Sequence, residues 1–273
     1  MQVEEVVIPY SRPDIFYLYP LGDIHGGTIH CAEAEVKAKV EEIRSNPNAR
    51  WIGLGDYAEW ITPHDKRWEP SYKAIAPWVE QDNIAETQRR WLVKLFTPIK
   101  DKCLGLLYGN HEDSIRIHNN DNVHKNICDD LNVKNLGYSC FLHLVFRRKM
   151  SRESHLIKCA FTHGTGGART EGGKINYLKE FMGSFSAQLY GYAHVHTIQI
   201  YSPESLTTTE NLIIKSKGSI GALTGCWFKT YTQGVIASYG EKKVYKPSRI
   251  GCPRFVINPD KGLLGVEVPA VMS

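Results

Sequence analysis

Short apolar runs alternate with longer amphipathic segments in the first half of the chain. Residues 15–21, 51–54 and 103–108 are dominated by apolar side chains, which predicts three short buried strands. Residues 31–45 and 82–99 carry apolar side chains at helical spacing, which predicts two helices between those strands. Strands that alternate with helices are typical of βαβ units, so the pattern predicts a parallel sheet here.

The pattern changes in the second half, where strand-like runs follow one another without long helical segments. Residues 138–148 and 155–162 predict two long strands joined by a polar turn. Further strands are predicted at 188–194, 197–201, 212–220, 235–239, 255–257 and 263–268. The chain is therefore expected to be α/β in its first half and mostly β in its second.

Five polar clusters stand at the carboxyl ends of predicted strands. They are 22–25 (GDIH), 55–59 (GDYAE), 109–112 (GNHE), 162–164 (THG) and 194–196 (HVH). Ligands of open α/β sheets bind at this edge. Five of the eleven histidines fall in these clusters, together with aspartate and asparagine but no cysteine. Such oxygen and imidazole donors suit Mn, Fe, Zn, Ni or Co and argue against a closed structural zinc site.

The spacing within the clusters suits a shared metal site. In Asp23-Ile24-His25 and His194-Val195-His196, an extended backbone puts the outer residues on the same side. Seven donors are too many for one tetrahedral ion but fit two ions that share a carboxylate. Two-metal sites of this kind catalyse in-line displacement at phosphorus.

In this order, the motifs D-x-H, G-D-x-x-E, G-N-H-E, T-H-G and H-x-H resemble those of the calcineurin-like metallophosphoesterase superfamily over residues 23–196. The resemblance implies an α/β fold, a four-layer α/β/β/α sandwich of two mixed β-sheets flanked by helices. It further implies a single domain over residues 1–273, in which the β-rich part 200–273 completes the second sheet.

The resemblance also implies a dinuclear site with a bridging hydroxide as the nucleophile. The implied metal ligands are Asp23, His25 and His196 for one ion, Asn110, His163 and His194 for the other, and Asp56 between them. The two divalent transition-metal ions are expected to be Mn, with Fe, Zn, Ni or Co as alternatives. His111 is implied as the group that protonates the leaving oxygen or stabilises the transition state. Glu59 replaces the family's aspartate that orients this histidine, and Ala193 stands where the family usually has glycine.

Two further groups of residues are candidates for the site. Residues 164–174 predict a flexible loop after a ligand, and Arg169 and Lys174 within it are expected to bind the substrate phosphate. Glu112 and Asp113 follow the GNH sequence, where acidic residues stabilise a helix N-terminus. Helix capping and a direct catalytic role are both open for these two residues.

The implied function is hydrolysis of a phosphodiester in a nucleotide or nucleic acid. A phosphomonoesterase or phosphoprotein phosphatase with the same site is the first alternative, and a non-catalytic scaffold with this fold is the second. A net charge of +4 permits contact with a polyanion without requiring it. The oligomeric state is left open.

Several classes of protein are disfavoured. No run approaches the ~18 apolar residues that span a bilayer, and two glutamates occupy the position where a signal peptide carries basic residues. The seven cysteines are odd in number and scattered, which argues against a disulfide framework. We therefore expect a cytoplasmic protein that does not associate with membranes.

Overall fold

The computed structural model describes residues 1–63, 65, 68 and 74–270. Its strands are β1 (Gln2–Tyr10), β2 (Phe16–Leu21), β3 (Ala49–Leu54), β4 (Cys103–Leu107), β5 (Asn135–Gly137), β6 (Ser139–Arg148), β7 (Ser154–Thr162), β8 (Leu189–Tyr192), β9 (Ile198–Tyr201), β10 (Glu204–Thr208), β11 (Ile214–Gly218), β12 (Ile220–Thr224), β13 (Arg254–Asn258) and β14 (Leu263–Glu267). Its helices are α1 (Glu33–Ser45), α2 (Ile84–Phe96), α3 (Asn110–Asn119), α4 (Val123–Leu131), α5 (Glu171–Ser184) and α6 (Tyr239–Lys242), with a 3-10 helix at Thr97–Lys102.

Two mixed six-stranded sheets form the centre of the molecule. Sheet I has the order β14-β13-β2-β3-β4-β5, and sheet II has the order β1-β6-β7-β8-β12-β9. Strands β2, β3, β4 and β5 run parallel, as the alternation of apolar runs and helices predicted. The long strands β6 and β7 pair antiparallel, which confirms the prediction for residues 138–148 and 155–162.

Buried apolar side chains fill the space between the two sheets and beneath the helices. Leu18 and Leu54 of sheet I face Leu142 and Phe161 of sheet II in one buried cluster. A second cluster joins the outer face of sheet I to α1, α2 and α4, and a third joins sheet II to α5. The layers are therefore helix, sheet, sheet and helix, and the expected α/β/β/α sandwich is confirmed.

Three parts of the chain differ from the sequence-based expectations. No strand was predicted before residue 15, yet β1 pairs parallel with β6 along nine residues of sheet II. The prediction of a strand at 235–239 is wrong. The Ser238 hydroxyl accepts a hydrogen bond from the Glu241 amide and caps α6, which begins at Tyr239. The loop predicted at 164–174 ends early, because Thr170 caps α5 by accepting from the Gly173 amide.

Residues after 200 contribute to both sheets. β12 lies between β8 and β9 in sheet II, whereas β13 and β14 extend sheet I beside β2. The predicted strand 212–220 spans β11 and the start of β12, and β11 belongs to a separate exposed hairpin with β10. The part 200–273 was predicted to complete the second sheet, and it contributes strands to both sheets. A single domain over 1–273 stays a prediction. In the described part of the chain, no helix has the length and apolar character to cross a membrane.

Candidate metal centre

The five polar clusters converge at one end of the sandwich. Each follows the carboxyl end of a strand, namely β2, β3, β4, β7 or β8, as the sequence predicted. Three groups of side chains place their ligand atoms within 4.8 Å of one another: Asp23–His25–His196, His25–Asp56–His111 and Asp56–His163–His194. We call the first the Asp23 half-site and the third the Asp56 half-site. The middle group shares one residue with each, so the two half-sites form one continuous cluster.

The backbone of this cluster has an unusual conformation. Five of the candidate ligands have φ between 49° and 68°, in the left-handed region: Asp23, His25, Asp56, His194 and His196. A side chain with a Cβ atom is disfavoured there, and such residues persist where the surrounding structure holds them. Here the Asp23 amide donates to the Gly55 carbonyl at 2.9 Å and the His25 amide to the Asp56 carbonyl at 3.0 Å. The loops after β2 and β3 therefore hold each other in place.

In the Asp56 half-site the side chains are fixed mainly by main-chain groups. Asp56 Oδ1 accepts from the His111 amide at 2.9 Å, and His163 Nδ1 donates to the Leu54 carbonyl at 2.7 Å. His163 Nε2 then faces the cluster, 3.4 Å from Asp56 Oδ2 and 3.0 Å from Asn110 Oδ1. His194 Nδ1 lies 3.2 Å from the same nitrogen. Four predicted ligands thus point into one small volume.

In the Asp23 half-site one buried carboxylate oxygen faces a histidine nitrogen. Asp23 Oδ2 accepts from the His194 amide at 2.8 Å, whereas the buried Oδ1 has no hydrogen-bond partner among the described residues. Oδ1 lies 3.4 Å from His196 Nε2, which in turn lies 3.1 Å from His25 Nε2. A buried carboxylate oxygen without a donor is costly unless a cation compensates it.

These distances fit a site for divalent metal ions. Two ligands that lie about 2.1 Å from one ion at right or tetrahedral angles are about 3.0–3.4 Å apart. The contacts between His25, His196 and Asp23, and those among His163, Asn110 and His194, fall in that range. Carboxylate, amide and imidazole donors suit Mn, Fe, Zn, Ni or Co. The seven predicted ligands therefore lie together in one cluster that could hold metal ions, and their role as ligands stays a prediction.

Electrostatic coupling keeps the two carboxylates charged. Burial by itself raises the pKa of Asp56, but His163, His111 and His25 outweigh it and hold the pKa well below its usual range. Burial likewise opposes ionisation of Asp23, and His196 and His163 lower its pKa on balance. For His163, burial lowers the pKa, yet the charge of Asp56 raises it to about 9. The cluster thus presents ionised carboxylates that attract cations.

Glu59 contacts two histidines through different atoms. His25 Nδ1 donates to the Glu59 carboxylate at 2.9 Å, and His111 Nδ1 donates to the Glu59 main-chain carbonyl at 2.7 Å. The sequence-based expectation was that the Glu59 side chain orients His111, and the structure instead gives that contact to the main chain. The reason is a pairing of the two loops, in which the Glu59 amide donates to the Gly26 carbonyl at 2.9 Å. His111 Nε2 faces the cluster, 4.0 Å from Asp56 Oδ2.

Glu112 joins the loops after β3 and β4. Its buried carboxylate accepts from the Asp56 and Gly109 amides at 2.8 Å each, from the Tyr57 amide at 2.9 Å and from Trp60 Nε1 at 2.8 Å. Burial, followed by the nearby charge of Asp56, raises its pKa. The sequence left capping and catalysis open, and the structure shows the capping contact to Gly109. It adds three donors that no sequence pattern indicated.

An aromatic residue that the sequence analysis did not single out borders the Asp23 half-site. The partly exposed ring of Phe228 lies 5.4 Å from the His25 ring and 6.1 Å from the His196 ring. The buried thiol of Cys226 also contacts His196. The chain pairs locally at Cys31 and Phe228, which brings the segment after β12 to the site. No sequence motif marks this segment.

The two predicted phosphate contacts lie at the start of α5 and in the loop before it. Lys174 Nζ donates to Thr197 Oγ1 at 2.7 Å, and Thr197 directly follows His196. Arg169 donates to the Lys243 carbonyl at 2.6 Å and stacks over the Tyr245 ring at 5.4 Å. Lys174 is thus adjacent to the site, whereas Arg169 contacts the segment after α6. Their binding of phosphate stays a prediction.

Comparisons with known proteins give structural similarity without a match in sequence. No protein family matches the sequence, and no curated protein is similar to it. The structure is similar to that of Vps29 from Chaetomium thermophilum, with 10% sequence identity, a TM-score of 0.37, and coverage of 94% of this chain and 95% of that one. A likeness at this level carries no information about activity, so the function rests on the site itself.

Proposed function

We propose that the chain is a metal-dependent phosphoesterase related to the calcineurin-like metallophosphoesterases. One observation carries the proposal: the two half-sites form a single, largely buried cluster that His25 and Asp56 connect through their shared group. Two divalent cations bound in such a cluster would supply a nucleophile at neutral pH and stabilise the charge that develops on the phosphate. Mn is the proposed metal, since carboxylate, amide and imidazole ligands all bind it.

The residues of the chain would divide the remaining work. Asp56 belongs to both the middle group and its own half-site, so its carboxylate fixes the spacing of the two halves. His111 donates from Nδ1 to a carbonyl, which leaves Nε2 directed at the cluster. When the bond between phosphorus and the leaving oxygen breaks, an imidazolium at His111 would pass its Nε2 proton to that oxygen and keep the proton on Nδ1. Burial of Asp23, Asp56 and His163 shields these three side chains from bulk water.

Within this reaction class we propose a phosphodiester as the substrate. A diester carries one negative charge and a monoester carries close to two, so a monoester needs more cationic contacts. The two basic side chains that are candidates for phosphate binding already have partners. Lys174 donates to Thr197, and Arg169 donates to the Lys243 carbonyl. The partly exposed Phe228 ring suits a nucleobase or another planar group beside the phosphate. A nucleotide or nucleic acid is therefore the proposed partner.

The proposed location is the cytoplasm. All seven cysteines are free, and six of them are buried. Burial raises the pKa of several of these thiols, including Cys31 and Cys159. Free thiols of this kind suit a reducing compartment.

The test uses two chromogenic substrates with Mn²⁺. The purified chain is expected to hydrolyse bis-p-nitrophenyl phosphate at least about tenfold faster than p-nitrophenyl phosphate, with Asp56→Asn as the inactive control. Faster hydrolysis of the monoester would favour the phosphatase alternative. Turnover of neither substrate, with wild type and Asp56→Asn alike, would overturn the enzyme proposal.

Metal analysis separates the enzyme from the non-catalytic scaffold. Close to two metal ions per chain are expected after reconstitution with Mn²⁺ and gel filtration. A chain that retains no metal and yet stays folded would be a scaffold. A panel of single- and double-stranded nucleic acid, cyclic nucleotide and phosphopeptide would then narrow the substrate of an active protein.

A further inference from the structure

The two contacts of Glu59 have different chemical origins. The carboxylate that accepts from His25 belongs to the side chain, whereas the carbonyl that accepts from His111 belongs to the main chain. A substitution at position 59 therefore removes the first contact and leaves the second in place. The sequence-based expectation, in which the side chain orients His111, predicts the opposite result.

The main chain around Glu59 is held on both sides. The Glu59 amide donates to the Gly26 carbonyl, and Gly26 bridges to Ala58 as a parallel pair. The next amide, that of Trp60, donates to Gln88 Oε1 at 2.9 Å. Because these bonds do not involve the Glu59 side chain, its carbonyl keeps its position in a variant.

The contact to His25 determines which of its nitrogens faces the cluster. With Nδ1 donating to the carboxylate, the lone pair of Nε2 is directed at His196 Nε2, 3.1 Å away. A carboxylate on the outer nitrogen of a histidine ligand fixes the tautomer and makes the other nitrogen a stronger donor. In the Asp56 half-site the corresponding acceptor is the Leu54 main-chain carbonyl, to which His163 Nδ1 donates.

We propose that Glu59 is a positioning residue for metal binding at the Asp23 half-site, and that it acts through its carboxylate on His25. This inference rests on the proposed metal centre. The main-chain carbonyl of Glu59 serves His111 independently of the side chain. Loss of the carboxylate weakens metal binding in the Asp23 half-site. Metal binding in the Asp56 half-site and the protonation of His111 are unchanged.

The experiment titrates the metal-free protein with Mn²⁺ by calorimetry, with no substrate present. Wild type, Glu59→Ala and Glu59→Gln are compared, and Asp129→Ala is the matched control, since Asp129 is an exposed acid on α4 that pairs with Lys125. Glu59→Ala should lose about 10–100-fold in affinity at one of two binding steps and keep the other. Glu59→Gln retains a hydrogen-bond acceptor without the charge and should recover part of this loss.

A second measurement requires no metal. Nitrogen NMR of the imidazole rings reports the tautomer of each histidine, and Glu59→Ala should alter the tautomer of His25 and leave that of His111 unchanged. The inference is overturned if both Mn²⁺ binding steps are unchanged and His111 alone responds. Absence of Mn²⁺ binding by wild type would overturn the proposed function and this inference together. Equal Mn²⁺ affinities of wild type and the Glu59 variants would overturn only the inference.

Discussion

The ligand side chains of the Asp56 half-site are held mainly by main-chain groups, whereas His25 in the Asp23 half-site is held by a carboxylate. Behind His163 lies the Leu54 carbonyl, and behind His25 lies the Glu59 carboxylate, whose side chain is 21% exposed. The His196 side chain is 27% exposed, compared with 0% for His163. A site built from two such halves combines a rigid part with a part that substitutions and ligands can reach. The following predictions test this difference.

The largest effect is expected at the residue that connects the two halves. Asp56→Asn should lower kcat about 10³-fold and weaken Mn²⁺ binding at both half-sites, because its carboxylate lies in two of the three groups. Asp23→Asn should weaken binding at one half-site only. Steady-state kinetics and calorimetric titration of both variants measure this. Identical binding defects in the two variants would show that the halves are not distinct.

Glu112 should affect stability more than any surface acid. Glu112→Ala leaves three amides and the Trp60 indole without their acceptor, so the free energy of unfolding should fall by about 4 kcal/mol. Asp113→Ala, one residue further along α3, is the control and should cost less than about 1 kcal/mol. Denaturant unfolding of the metal-free proteins measures both. A loss below 1 kcal/mol for Glu112→Ala would mean that main-chain contacts alone hold the Asp56 half-site.

His124 should make the scaffold behind the Asp56 half-site sensitive to acid. Its ring stacks on Tyr57, its Nε2 donates to Asn135 Oδ1 at 3.1 Å, and burial lowers its pKa to about 4. The unfolded chain binds this proton at its ordinary pKa of 6.5, so stability is full above pH 6.5 and falls as the pH drops towards 4. The loss amounts to about 3 kcal/mol.

The measurement for His124 is the difference between proteins, because other groups also titrate in this range. His124→Gln should show a shallower fall in unfolding free energy between pH 6.5 and 4 than wild type. His118→Gln, a change at an exposed histidine on α3, should show the wild-type slope. Equal slopes for all three proteins would contradict the assignment.

The smallest effect is expected at the rim of the Asp23 half-site. Phe228→Ala should raise KM for an aryl diester about fivefold, equivalent to about 1 kcal/mol, with kcat little changed. Tyr231→Ala, at an aromatic residue that is 44% exposed, is the control. A drop in kcat without a change in KM would place Phe228 in support of the metal ligands and not in contact with the substrate.

The sequence predicted the parts of the fold that local patterns determine. Strands β2 and β4 and the second half of β3 are apolar runs. A glycine-containing motif follows each of them, so both the strands and the candidate ligands after them could be located. β1 was not predicted, because it becomes a strand only by pairing with β6, more than 130 residues away. Its outward-facing residues are largely exposed and give no continuous apolar signal.

The residues that cluster at the candidate site could be predicted from the sequence, but the contacts behind them could not. Which atom of Glu59 reaches which histidine depends on the pairing of Gly26 with Ala58, and this register has no signature in the chain. Likewise, the approach of Phe228 to His25 depends on how the segment after β12 returns to the site. Motifs indicate the candidate metal ligands, whereas the residues that orient these ligands are determined by the folded structure.

The left-handed backbone at five ligand positions implies a conflict between stability and activity. Glycine adopts this conformation without penalty, and a residue with a Cβ atom costs about 1 kcal/mol more there. A glycine at His194 or His196 would thus relax the backbone of the metal-free protein while removing a ligand. Selection for thermal stability alone would therefore be expected to enrich glycine at these positions and so erase the site, whereas selection for activity keeps the strained residues.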